Sequence, residues 1–239
     1  MKIVVSVIKA DIGSIGGHIK PSQKLKETVS NYIYEHGIKT KDVIDYRISS
    51  TGDDIAILMT HKKGTLDEKI HKLAWDAFVA GTKVAKEQGL YGAGQDLLKD
   101  AFSGNVKGMG PGVAEMEFNE REGEPVLIFM ADKTSAGAWN KPLYKMFADP
   151  FNTIGLVIAE NMHNGFSFEI HDVKKGKKVA LNAPEEIYDM LVFMGAPSRY
   201  EVKAVRHRDT GEIASVSSTQ RLAHIAGRYV GKRMTRCAL

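Results

Sequence analysis

The chain has 239 residues, 43% of them hydrophobic and 26% charged, a mixture that suits one substantial core or two small ones and excludes a disordered chain. Its net charge of +4 is local: residues 201–239 hold eight Lys/Arg against three Asp/Glu, whereas residues 1–200 hold 25 against 26. Cys237 is the single cysteine, which excludes an internal disulfide or a thiolate metal cluster and suits a reducing compartment.

In chain order, MKIVVSVIKAD is interrupted by Asp11 too early for a signal peptide, and no apolar run approaches the roughly 20 residues that span a bilayer. A soluble, cytoplasmic protein with no membrane partner is expected. Residues 2–9 (KIVVSVIK) are β-branched and apolar, as a buried strand requires, and deliver Asp11 to a turn containing Gly13, Gly16 and Gly17, with His18 behind it. Pro21 suits the first turn of a helix running to Gly37, placed as a C-cap. DYRISS and IAILMTH read as strands flanking Thr51-Gly52-Asp53-Asp54. Thr65-Leu66-Asp67-Glu68 matches a capping box before a helix that shows Ile70, Leu73, Ala74, Ala77, Phe78 and Gly81 on one face and ends at Gly89. VAEMEFN and PVLIFMAD read as a strand pair, with Asp132 and Lys133 at the exit of the second. IGLVIAE, FSFEIHD, KKVALN, RYEVKAV and EIASVSS read as further strands, and PEEIYDMLVFMG as a helix opened by Pro184 and ended by Gly195. Strands with long helices between them predict an α+β or layered α/β fold, and with no internal repeat or convincing linker one domain over residues 1–239 is expected.

The polar motifs sit at the ends of apolar runs. Asp11, His18, Asp53, Asp54, Gln95 and Asp132 offer mostly hard oxygen donors, which suit Mg2+, and a carboxylate-rich magnesium site implies a phosphorylated substrate. Side by side, Asp53 and Asp54 repel each other unless a cation lies between them, and Gly52 permits the kink that would turn both to one side. Small residues before Gln95 and in Ser103-Gly104-Asn105 let backbone N–H groups approach phosphate oxygens. Lys133 adds a cation beside Asp132, and Tyr229 with Lys232 is the pair suited to carbonyl chemistry, an amine for a Schiff base and a phenol for the proton. Each has a plain alternative: a solvated Gly-Asp turn, a packed or surface histidine, a surface loop, a solvated basic end. The C-terminal arginines, Arg206, Arg208, Arg221, Arg228, Arg233 and Arg236, lack interleaved aromatics or a docking motif, so no nucleic-acid partner is expected.

Read together, KADIGS, GDD, LAWDAF, LYGAGQDLLKDAFSGN, GPGVAEMEF, FMADKT, LYKMFADPFNT and IAGRYVGK resemble the archaeal-type (class V) fructose 1,6-bisphosphate aldolase/phosphatase family over nearly the whole chain. The resemblance implies a four-layer α-β-β-α sandwich assembled into octamers. It also implies a bifunctional, gluconeogenic enzyme that condenses dihydroxyacetone phosphate with glyceraldehyde 3-phosphate through a lysine Schiff base, then removes the 1-phosphate of fructose 1,6-bisphosphate to leave fructose 6-phosphate. By matching motif, Asp11, His18, Asp53, Asp54, Gln95 and Asp132 would hold several Mg2+ ions, with His18 also touching sugar. Tyr91, Gly104, Asn105 and Lys133 would contact sugar or phosphate, Lys232 would form the Schiff base, and Tyr229 would be its general acid/base.

The end of the chain departs from that pattern. After YVGK the family continues with two Mg2+-ligating aspartates, whereas here Arg233 and Met234 follow, then TRCAL. The family's C-terminal third, with further phosphate contacts and a further tyrosine, is not represented, and a truncated or frameshifted member with an incomplete sandwich is the resulting expectation. An ion that depends on both aspartates would bind far more weakly, and uncovered apolar faces and sheet edges would favour aggregation. Two readings of function therefore stand: the bifunctional enzyme, and a catalytically impaired fragment that binds metal and sugar phosphate.

Overall fold

The computed structural model describes residues 1–98, 110–121, 126–132, 134–151, 163–218 and 223–227. Within them the fold is α+β, with two antiparallel sheets and four α-helices. By internal contacts the chain divides into two compact units, Met1–Asn119 with Phe129–Thr134 and Ser218–Ala223, and Glu120–Ile128 with Ser135–Ser217 and His224–Leu239. The expected strand IGLVIAE lies outside the described residues.

The first unit is built around β1 (Lys2–Ala10), which lies between β3 (Asp54–His61) and β4 (Gly112–Asn119), with β2 (Asp45–Thr51) outside β3. From Val4 onward β1 is buried on both faces. Ile8 and Ala10 meet Ile55, Ile57 and Met59 on the face covered by helices α1 (Gln23–Ile33) and α2 (Glu68–Glu87), which contribute Leu25, Val29, Ile33, Leu73, Ala77 and Phe78. The six residues expected on the inner face of α2 are all buried there. A strand so buried needs partners on both edges, which explains why VAEMEFN pairs with β1 (Lys2↔Asn119 to Lys9↔Gly112) and not with PVLIFMAD as expected. The latter forms β5 (Val126–Met130) in the other sheet.

Both helix starts differ from the sequence expectation because a nearer side chain caps them. Ser22 Oγ accepts from Leu25 N at 3.1 Å, so Pro21 stands before the cap. Asp67 Oδ1 accepts from Ile70 N at 3.0 Å and takes the place of Thr65. Leu66 between them adopts φ 61 and donates its N–H to Glu115 Oε2 at 2.6 Å, which turns Thr65 away from the helix start. Gly37 is not a C-cap: the chain continues through a π-helical turn, Tyr34–Ile38, and a Cβ on Gly37 would stand 2.9 Å from Leu73 Cδ2. Close packing against Leu73 and Val43, not backbone freedom, favours a glycine there.

The second sheet runs β5, β10 (Ala223–Gly227), β9 (Ile213–Ser217), β8 (Tyr200–His207), β6 (Phe166–Asp172), β7 (Lys177–Ala183). Phe166, Phe168 and Ile170 of β6 pack with Val202 and Val205 of β8 against α3 (Asn140–Phe147) and α4 (Ile187–Met194). The α4 helix starts at Ile187, later than Pro184, because Pro184 to Glu186 form a turn closed by Glu186 N donating to Asn182 O at 2.7 Å; Gly195 is its C-cap, as expected. Neither α3 nor β10 was expected. Buried Asn140 joins this layer: its Nδ2 donates to Met194 O and Tyr200 O at 3.2 and 2.9 Å, and its Oδ1 accepts from Val202 N at 2.9 Å. No described helix is long and apolar enough to cross a membrane.

Glu201 of β8 lacks such partners. It is buried, and neither carboxyl oxygen has a hydrogen-bond partner among the described residues. Burial pushes its carboxyl up from 4.5 to about 7, with Lys203 offsetting part of the effect. A folded pKa above the unfolded one means the stability contribution is complete below about pH 4.5 and is lost as pH rises through about 7. Glu201→Gln is expected to stabilise the chain by on the order of 2–3 kcal/mol at pH 8 and to give no advantage at pH 4. Denaturant melts of both proteins at the two pH values check this.

Candidate metal centre

Immediately after β1, the backbone of Asp11 is fixed to the segment 91–96. Asp11 N donates to Asp96 Oδ2 at 2.8 Å, while Asp96 N donates back to Asp11 O at 3.0 Å. Ser14 and Tyr91 exchange backbone hydrogen bonds at 2.9 and 3.0 Å, so the glycine turn before His18 runs alongside YGAGQD. Gln95 begins a short 3-10 helix, Gln95–Leu97. A Cβ on Gly92 would lie 3.2 Å from Gln95 Oε1 and 3.7 Å from Asp11 Oδ1, so an amide oxygen and a carboxylate border the same small residue.

The two neighbouring acids come from the β2–β3 hairpin. Thr51 pairs with Asp54, leaving Gly52 and Asp53 as a two-residue turn with φ 60 at Gly52, the pattern of a II′ turn. Asp53 therefore sits at the tip and Asp54 opens β3. Gly52 is needed twice: for its φ, and because a Cβ there would lie 2.3 Å from Asp132 Oδ2. Asp132, in the Phe129–Thr134 segment of the first unit, thus closes onto the hairpin tip across a space that any side chain would fill.

Two groups of potential ligands result, Asp11, His18 and Asp53, and Asp53, Asp54 and Asp132, each with ligand atoms within 4.8 Å of one another. Asp53 belongs to both. Asp11, Asp53 and Asp54 are buried, and the His18 side chain is 43% exposed. His18 Nδ1 lies 2.6 Å from Asp53 Oδ2 and 4.0 Å from Asp11 Oδ2, and its ring meets the exposed Tyr91 edge-on at 4.8 Å. Burial raises the Asp54 carboxyl, Lys9 counters this, and the nearby Asp132 and Asp96 carboxylates raise it further. Asp54 Oδ1 is buried with no hydrogen-bond partner among the described residues. An orphaned carboxylate oxygen, a gap kept open by Gly52 and a donor set of oxygens with one imidazole all fit a hard divalent cation.

Of the residues singled out in the sequence, the structure brings together Asp11, His18, Asp53, Asp54, Asp132, Gln95 and Tyr91. Gly104, Asn105, Lys133, Tyr229 and Lys232 lie outside the described residues. Two participants escaped sequence reasoning. Asp96 clamps Asp11, and Lys9, fully buried in β1, donates to Asp54 Oδ2 at 2.5 Å. The signal for Lys9 was present, since a lysine in a strand buried on both faces requires a partner.

Because Asp53 is common to both groups, Asp53→Asn is expected to weaken divalent-cation binding more than Asp54→Asn or Asp11→Asn, by on the order of 100-fold. Calorimetric Mg2+ titrations of the three variants give the ranking. Gly52→Ala is expected to cost about 1–2 kcal/mol from its backbone conformation and also to displace Asp132. A thermal melt paired with the same titration separates the two effects.

A sequence model of the family described as fructose-1,6-bisphosphatase matches residues 2–235. The chain is 61% identical over 231 residues to a fructose-1,6-bisphosphate aldolase/phosphatase of Moorella thermoacetica, covering 97% of this chain and 60% of that protein. It is 54% identical to the protein of the same name from Sulfurisphaera tokodaii (97% and 60% covered) and 53% identical to that from Methanothermobacter marburgensis (97% and 63%). The chain spans about 60% of the length of the first of these curated relatives. With a match over nearly its whole length and acids gathered at the ends of its strands, the chain belongs to the fructose-1,6-bisphosphatase family.

Proposed function

We propose that the chain carries the metal and sugar-phosphate site of a Mg2+-dependent fructose 1,6-bisphosphate aldolase/phosphatase. The observation that supports this most directly is the pair of acidic groups joined through Asp53, found in a chain whose relatives bear that name. In the phosphatase reaction water adds to the 1-phosphate, the bond from phosphorus to the C1 oxygen breaks, and that oxygen takes a proton, leaving fructose 6-phosphate and inorganic phosphate. Asp11, Asp53, Asp54, Asp132 and the Gln95 amide oxygen would hold Mg2+, with His18 completing the set. When bound, Mg2+ neutralises charge on the departing phosphate and orients the attacking water.

The remaining roles follow the family resemblance. His18 and Tyr91, in mutual ring contact and both exposed, suit contact with the sugar. Gly104, Asn105 and Lys133 would hold phosphate or sugar oxygens. Lys232 would form the Schiff base that condenses dihydroxyacetone phosphate with glyceraldehyde 3-phosphate, and Tyr229 would carry the proton. The proposal extends to a single catalytic domain folded as an α-β-β-α sandwich, to a homo-oligomer, octameric in the family, and to a cytoplasmic, gluconeogenic setting.

A second reading has its own support: Arg233 and Met234 follow Lys232 where the family pattern has two aspartates. On that reading the chain binds Mg2+ and sugar phosphate without turnover. Mg2+-dependent phosphate release from fructose 1,6-bisphosphate by the 239-residue chain decides between them. The enzymatic reading expects release that stops with chelator and falls at least ~100-fold in an Asp53→Asn, Asp54→Asn double variant. Mg2+-dependent binding of the bisphosphate with no phosphate released would establish the binder.

A further inference from the structure

The acidic centre contains a cation of its own. Lys9 of β1 is fully buried, and its cross-strand neighbours are two small residues, Ala56 of β3 on one side and Gly112 of β4 on the other. Its ammonium donates to Asp54 Oδ2 at 2.5 Å and to Ala131 O at 2.6 Å. Those contacts connect strand β3 with the residue directly before Asp132, so one side chain in β1 touches the supports of two of the three acids. With Oδ2 engaged by Lys9, Asp54 keeps Oδ1, buried and without a hydrogen-bond partner among the described residues, beside Asp53 and Asp132.

Burying an ammonium is costly unless its charge is matched, and the surroundings here match it in excess. Asp53, Asp54 and Asp132 set three carboxyl groups about the single ammonium of Lys9, with Asp11 and Asp96 nearby. A simple electrostatic view would have Lys9 repel the metal. Against that stands the geometry: without the ammonium, Asp54 and the Ala131 backbone lose the contact that fixes them. An outer partner that orients a ligand typically governs affinity by 10–100-fold.

We propose that Lys9 is a positioning residue of the metal centre, fixing Asp54 through one oxygen so that the other faces the ion, and bracing Ala131 so that Asp132 stays against Gly52. This rests on reading the acidic cluster as a divalent-cation site. The test is Mn2+ binding to the whole chain, followed by electron paramagnetic resonance of free and bound ion, in wild type, Lys9→Met and Lys9→Arg, with a thermal melt of each. Lys9→Met is expected to keep a cooperative melt yet bind Mn2+ about 10- to 100-fold more weakly with a broadened bound spectrum, while Lys9→Arg, which keeps the charge and a donor toward Asp54, recovers part of the affinity. In an Asp54→Asn background the Lys9→Met change is expected to add little, because its effect passes through Asp54. Should Lys9→Met fail to fold, Lys9→Gln carries the same comparison. Unchanged or tighter Mn2+ binding in the folded variant overturns the positioning role while leaving the metal site intact. Wild-type protein that binds no Mn2+ at all removes the metal site itself, and the inference with it.

Discussion

The carboxylates of Asp53, Asp54 and Asp132 converge within 4.8 Å, two of them fully withdrawn from water, and their mutual repulsion is the force against which the rest of this centre is organised. Packing alone cannot hold like charges together in a poorly solvated pocket. Here the register of β1 with β3 places Lys9 opposite Ala56, two residues from Asp54, and the hairpin turn brings Asp53 next to it. The missing Cβ of Gly52 admits Asp132. The excess of carboxylates over the one ammonium is what a small, hard cation would offset.

The site grades from rigid to accessible. Asp11 is held by a reciprocal clamp with Asp96 and Asp54 by a buried ammonium, both at the margins of a strand packed on both faces. His18 and Tyr91 stand on turns, exposed, steadied by backbone pairing between Ser14 and Tyr91 and by contact of their rings. The buried carboxyl groups lie at the ends of the strand framework, and the two exposed rings lie on turns.

Much of this was legible in the sequence. Apolar β-branched runs marked β1 and β3, and the 3.6-residue spacing of Ile70, Leu73, Ala74, Ala77 and Phe78 marked the inner face of α2. The ligand candidates were visible as acids where apolar runs end. The rest depended on tertiary context. Asp67 displaced Thr65 as a cap because Glu115, from a strand 49 residues away from Leu66, draws the intervening N–H. VAEMEFN chose its partner by the open edge of a buried strand, a choice no local pattern encodes. The eight-residue α3 lacks a capping side chain and has proline in its third position, so its propensity was weak. Lys9 read as the end of a strand because its carboxylate partner lies 45 residues further on.

The tightness of the β2–β3 turn bears on how this protein can change. β3 is held in register on both edges, so one extra residue between Thr51 and Asp54 would have to be absorbed in the turn, moving Asp53 relative to Asp54 and Asp132. A change of length is therefore costly to the geometry of this hairpin tip, whereas the turn from Val173 to Gly176 joining β6 and β7 carries no ligand candidate. Among homologues, the hairpin should act as a fixed ruler while length variation accumulates elsewhere.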